Sequence, residues 1–227
     1  MKKLFVVLLA GFAFGAKAQN APTKQTTTIQ HVRIALNGGF SQLLGKTSSE
    51  VPADARNYVS ELKSGSHLGI DATYFTKSDW GIGAKFSQFM TSNSGTTNVN
   101  GMSVSMKDDI KHSFIGASFS GRKTTSNNKH TFVFALGLGY LGYNNNAFLG
   151  GQPVKITGET FGSALDAGYD FNLTKNIAIG AQINLTGGTL GKLNYESGGQ
   201  GVTKTLDKDQ KESMARMDIS LGARFNF

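Results

Sequence analysis

Arg216-Met217-Asp218-Ile219-Ser220-Leu221-Gly222-Ala223-Arg224-Phe225-Asn226-Phe227 alternates without a break. Met217, Ile219, Leu221, Ala223, Phe225 and Phe227 fall on one face, and Arg216, Asp218, Ser220, Gly222, Arg224 and Asn226 on the other. A period of two marks a β-strand with two different surroundings. Upstream, seven more segments repeat the pattern. Val32, Ile34, Leu36 and Phe40 oppose Arg33, Ala35, Asn37 and Gly39; Leu68, Ile70, Ala72 and Tyr74 oppose Gly69, Asp71 and Thr73. Trp80, Ile82, Ala84 and Phe86 oppose Gly81, Gly83 and Lys85; Ile115, Ala117 and Phe119 oppose His112, Gly116, Ser118 and Ser120, with Phe114 out of phase. Phe132 to Tyr140, Phe161 to Phe171 and Ile177 to Leu185 complete the set of eight.

The connections alternate in length. Residues 76–79, 124–129 and 173–176 are short, whereas 42–64, 91–108, 144–155 and 192–211 are long and polar, and are expected to be loops. Short turns at one end, long loops at the other and an even strand count are the layout of a bacterial outer-membrane barrel. Tyr74, Trp80, Phe119, Phe132, Phe134, Tyr169, Phe171, Phe225 and Phe227 all lie on the apolar face near the short-turn end, as an interfacial aromatic girdle requires.

The expected fold is therefore all-β: an eight-stranded antiparallel up-and-down transmembrane barrel with short periplasmic turns and long extracellular loops. Such a barrel has room inside only for side chains. The polar faces carry Arg33, Lys85, Arg216 and Arg224 against Asp71, Asp166, Asp170 and Asp218. Four charges against four can neutralise one another in a packed polar lumen, and buried charges need that pairing.

Composition narrows the class further. Glycine is 29 of 227 residues and charged residues are 17%, which argues against long helices, while 16 Phe argues against disorder. Without Cys there is no disulfide framework, thiol nucleophile or Cys-based zinc site. Lys2 and Lys3, the uncharged run 4–16 and Ala16-Lys17-Ala18 have the layout of a secretory signal peptide, so residues 1–18 are expected to be removed and 19–227 to form the barrel. Loss of Lys2, Lys3 and Lys17 lowers the net charge from +8 to +5, which leaves nucleic acid without support as a partner.

The signal ending Ala16-Lys17-Ala18, the eight alternating segments and the strand 215–227 ending in Phe together resemble the small outer-membrane β-barrel proteins of the OmpA-transmembrane, OmpX and OmpW type. Within them the chain looks most like the porin-family "outer membrane protein beta-barrel" proteins of Bacteroidetes-like bacteria. The resemblance spans the mature chain. It implies residence in the outer membrane of a Gram-negative cell and contact with its lipid and lipopolysaccharide. It also implies that Phe225 and Phe227 are the signal read by the outer-membrane assembly machinery. The family includes adhesins, structural anchors, small-solute channels and a few lipid enzymes, so function stays open.

Motif by motif, the bland reading prevails. Gly137-Leu138-Gly139-Tyr140-Leu141-Gly142 matches a dinucleotide fingerprint but lies inside a strand, not between a strand and a helix. His31, His67, His112 and His130 are dispersed, which argues against zinc. The resembling deacylases set His and Ser two apart on one strand face; here Phe114 follows His112 at that spacing and Gly69 follows His67. Asp207-Lys208-Asp209 lacks the Gly and Glu of a calcium loop. No cofactor, metal or catalytic residue is expected. Lys46, Lys63, Lys204, Lys208 and Lys211 are candidates for lipopolysaccharide phosphates, though ordinary surface lysines fit as well. The main expectation is a monomeric, non-enzymatic barrel with a structural or surface-interaction role. The alternatives are a narrow channel for small or hydrophobic solutes, a soluble periplasmic lipocalin-like binder with its apolar face inward, and a lipid A-modifying enzyme.

Overall fold

The computed structural model describes residues 30–47, 51–52, 55–77, 79–99, 102–207 and 210–227. The expected signal segment 1–18, the polar lead up to residue 29, and Lys208 and Asp209 lie outside these residues. The elements are β1 (Val32–Leu43), α1 (Arg56–Glu61), β2 (Ser64–Phe75), β3 (Trp80–Val99), β4 (Met102–Thr124), β5 (His130–Leu149), β6 (Gln152–Asn172), β7 (Ile177–Leu190), β8 (Lys192–Ser197), β9 (Gln200–Thr205), β10 (Glu212–Ser213) and β11 (Arg216–Asn226).

Eight of these close a ring. Strands β1 to β7 pair antiparallel in sequence order, β7 pairs with β11, and β11 returns to β1 from Arg33↔Asn226 to Leu43↔Arg216. Closure removes every strand edge at membrane depth, where an unpaired backbone group would find no water. At the closing seam the chains run so close that a Cβ on Gly222 would fall 1.7 Å from the Leu36 carbonyl oxygen. Only glycine fits there.

The barrel is inside out relative to a soluble protein. On its outer wall Ile82, Ile115 and Leu221 are 69%, 62% and 70% exposed, whereas Arg216, Arg224 and Asp218 are fully buried inside. This corrects the lipocalin alternative, which needs the apolar face inward. Exposing that much contiguous hydrocarbon to water would be prohibitive for a soluble protein, and lipid removes the penalty. On the girdle Trp80 stacks on Phe119 at 5.3 Å, and Phe132 packs against Tyr169 at 5.4 Å.

Three of the four long connections, 91–108, 144–155 and 192–211, are mostly strand and not loop, which is a second correction, whereas 42–64 is not a strand apart from its ends and carries α1. Strands β3 to β6 have 20, 23, 20 and 21 residues, about twice the ~9–11 that cross a bilayer. Beyond the belt β6 leaves β7 at Gly162↔Gly188 and pairs with β8 around Thr157↔Asn194, and β8 pairs with β9. A six-stranded sheet in the order β3-β4-β5-β6-β8-β9 thus stands above the membrane. Its two-residue turns, Gly150-Gly151 and Gly198-Gly199, have φ of 59°, 80°, 58° and 76°. Two consecutive positive φ values make the tight hairpin turn whose twist matches the strands. Helix α1 braces the base of this sheet: Tyr58 Oη donates to Asp108 Oδ2 at 2.6 Å, and Asn93 Nδ2 donates to Glu61 Oε2 at 2.8 Å. Burial and the Asp108 carboxylate push the Tyr58 hydroxyl pKa upward.

Candidate functional site: a sealed lumen

The inward faces bring all eight charges anticipated from the sequence into the lumen, in three groups. Nearest the short turns, Asp170 on β6 receives Arg33 Nε at 2.9 Å and Arg224 Nε at 2.9 Å. One carboxylate thus serves two guanidiniums, and all three are nearly inaccessible to solvent. In the middle, Lys85 Nζ lies 2.9 Å from both Asp71 Oδ1 and Asp166 Oδ1. Asn37 Nδ2 donates to Asp71 at 3.0 Å, and Gln182 Nε2 and Asn184 Nδ2 donate to Asp166 at 2.9 and 2.6 Å. Toward the outside, Arg216 Nε lies 3.3 Å from Asp218 Oδ2, and its other nitrogens donate to the His112 carbonyl at 2.8 Å and to Ser87 Oγ at 2.5 Å. Ser41 Oγ donates to Asp218, and His67 Nδ1 lies 3.4 Å from its other oxygen.

Charges so buried are tolerable because each faces an opposite charge within 3.3 Å, although Arg216 Nε, Asp218 Oδ2 and Arg224 Nη2 have no hydrogen-bond partner. Sequence reading placed Asn37, Ser87, Gln182 and Asn184 on the polar faces without a role and did not place Ser41 and His67 there. Their signal was present in the inward phase of the alternation, but nothing in a sequence says which inward side chains meet across the lumen.

Between the first two groups lies a chamber with about 20 Å³ of space for water centres, lined by Arg33, Asp71, Thr73, Ser118, Ser120 and Asp166 among others. That volume holds one or two waters. Arg33 from β1, Asp71 from β2 and Gln182 from β7 reach into it, whereas the facing wall presents Ala135 from β5 and Gly168 from β6. The chamber is the difference between them.

Above it the lumen stops being polar, which corrects the expectation of a polar core throughout. Phe114, Leu141, Ala164, Leu190, Leu193, Leu206 and Met214 form one buried apolar cluster, and Leu62, Phe89 and Ile110 another. Phe114, out of phase with its outward neighbours, points inward and belongs to this closure. Leu141 fits because Gly162 and Gly188 have no side chains: a Cβ on either would approach Leu141 Cδ1 to 2.4 or 2.6 Å. Gly162→Ala is therefore expected to cost about 1–3 kcal/mol by overpacking, read as the unfolding midpoint in urea. An unchanged midpoint would mean that Leu141 has free room.

Phe225 and Phe227 sit on the outer face of β11 and at its end, and the Phe227 carbonyl receives the Val32 N–H at 2.9 Å where the ring closes.

No protein-family model matches the sequence, and no curated protein matches it. Solved structures do match. A major outer membrane protein from Thermus thermophilus aligns with TM-score 0.54 at 10% identity, over 86% of this chain and 99% of that one. The outer membrane protein OprG from Pseudomonas aeruginosa aligns with TM-score 0.53 at 16% identity, over 87% of this chain and 97% of that one. At these identities the likeness is one of fold. Ring, belt and neighbours agree: this is a small outer-membrane β-barrel, similar to the OmpX and OmpW type. A closed barrel with a lipid-facing belt and this turn asymmetry resides in the outer membrane of a Gram-negative cell.

Proposed function

We propose that the chain is a non-enzymatic outer-membrane protein that presents a braced β-sheet to the outside while its lumen stays shut. The observation that carries this reading is the free-standing sheet. Its outermost strand, β9, is exposed along its whole length and pairs only with β8 among the described residues. An edge strand offers a row of unpaired backbone groups, and an extended segment of a partner can add to it. Lys46, Lys63, Lys204 and Lys211 stand at the same end, where lipopolysaccharide phosphates would meet them. Phe225 and Phe227 serve as the assembly signal, and the ring needs no second copy to close, which suits a monomer.

A photocrosslinker at Thr203 on β9 in intact cells should yield a discrete adduct, and one in the short turn at Asn127 should not. Equal adducts from both sites, or none from β9, would sink the docking role.

The second reading, a narrow channel, is favoured by the chamber. Its hydroxyls Thr73, Ser118 and Ser120 are buried and suit a water path. Beyond it lie the Lys85 group, the Arg216–Asp218 group and the apolar cluster, and the Arg33–Asp170–Arg224 group closes its other side. Lys85→Ala alone should leave planar-bilayer conductance at background, whereas Lys85→Ala combined with Arg33→Ala, Asp170→Ala, Arg224→Ala, Arg216→Ala, Asp218→Ala, Phe114→Ala and Leu141→Ala should raise it, provided the gel-mobility shift shows the variant folded. A conducting native protein would refute the sealed lumen, and a folded but silent combined variant would remove the channel.

A further inference from the structure

We infer that the short-turn end of the barrel is a ring that gathers anionic phospholipid headgroups from the leaflet it faces. The inference rests on the membrane-spanning reading and goes beyond it. Among the described residues, the turns and adjoining strand ends at this end carry Lys77, Arg122, Lys123, Lys129 and Lys175 outside the lumen against a single acidic side chain, Asp79. Arg122 takes that acid: its Nε lies 3.1 Å from Asp79 Oδ1, and it rests 4.3 Å from the centroid of the Phe75 ring. The four lysines are exposed and have neither ion pair nor side-chain hydrogen bond among the described residues. The opposite end is mixed, with nine Lys and Arg against seven Asp and Glu in the described parts of 44–63, 91–111, 144–159 and 191–215. The lumen charges cancel. The short-turn end alone therefore has its unpaired charged side chains all of one sign.

The position of these lysines selects a lipid and not a soluble polyanion. They spread around the perimeter on all three turns and do not converge on a concavity. They also sit against the aromatic girdle. The Trp80 ring lies over Gly121, where a Cβ would be 2.8 Å from Trp80 Cζ3, and Lys123 follows two residues later on the same outward face. Lys123 pairs across the sheet with Phe132. Lys129 adjoins His130, whose Nδ1 is 2.7 Å from Tyr169 Oη. Lysine stems can lie along such aromatic surface while the ammonium reaches phosphate depth. Basic groups at that depth enrich anionic lipid within a Debye length.

Trp80 is the only tryptophan in the chain, is 53% exposed and stands in the ring, so it serves as the probe. The full chain is reconstituted in phosphatidylcholine vesicles containing an equal minor fraction of brominated phosphatidylglycerol or of brominated phosphatidylcholine. Trp80 quenching by the anionic lipid should exceed that by the neutral one at least about threefold. The preference should vanish in the Lys77→Gln, Lys123→Gln, Lys129→Gln, Lys175→Gln variant, whose folding is verified by a gel-mobility shift between unboiled and boiled samples. Equal quenching by both lipids in the native protein overturns the ring. So does a preference that survives in the variant, or one abolished by millimolar inorganic phosphate at constant ionic strength, which would reassign the lysines to soluble anions. Absence of quenching by either lipid overturns the spanning geometry itself.

Discussion

Asp170→Asn is expected to destabilise the barrel by about 3–5 kcal/mol, the usual cost of breaking a buried pair by removing one partner. Among the described residues Asp170 is the sole carboxylate bonded to both Arg33 and Arg224. The amide would leave two buried guanidiniums facing each other without a counter-charge. Exposures of 2%, 4% and 0% for Asp170, Arg33 and Arg224 mean that solvent screens little of the loss. The measurement is the urea-unfolding midpoint in lipid vesicles. Replacing all three groups by apolar residues (Arg33→Met, Arg224→Met, Asp170→Leu) should cost much less, because such triads stabilise weakly against well-packed hydrophobic substitutes. If Asp170→Asn alone shifts nothing, water reaches this group freely and the chamber opens wider than its walls suggest.

Leu221→Arg is expected to cost about 2–4 kcal/mol in a bilayer, the depth-dependent penalty for a cation on the lipid face near the midplane. Leu221 is 70% exposed on the outer wall, the middle of three apolar positions with Ile219 and Ala223. In a water-soluble barrel an exposed Leu→Arg change would be nearly silent. The sign of this experiment thus decides the surroundings of the outer face. A variant as stable as the native chain in vesicles would place that face in water.

Several features legible in the sequence reached the structure unchanged. Alternation put the apolar stripe of each strand on one face and the eight charged residues on the other, because a strand's side-chain period of two leaves no other choice once one residue is placed. The positions of the three short turns followed from the breaks in that pattern. Leu149-Gly150-Gly151-Gln152 and Ser197-Gly198-Gly199-Gln200 are Gly-Gly hairpin signals between alternating residues. They mark the two-residue turns of the extracellular sheet inside stretches otherwise expected to be loop. Polar composition obscured them, since a sheet bathed in water on its outer face shows no apolar stripe there.

Phe114 shows the limit more sharply. By sequence it is an apolar residue in a polar phase, equally compatible with a strand irregularity and with a buried contact. Its role depends on Leu141 from β5, and on Leu190 and Met214 from β7 and the segment before β11, which no local pattern connects. What the chain determined by itself was the eight strands of the ring, the two faces of each and the girdle, all consequences of local period and of where aromatics and turns fall; which face points outward was decided by the structure, where the apolar side is exposed and the charged side buried. What only the tertiary structure decided was the pairing across the lumen and the apolar closure above it, because a closed ring brings together residues such as Arg33 and Asp170, 137 positions apart, that share no sequence neighbourhood.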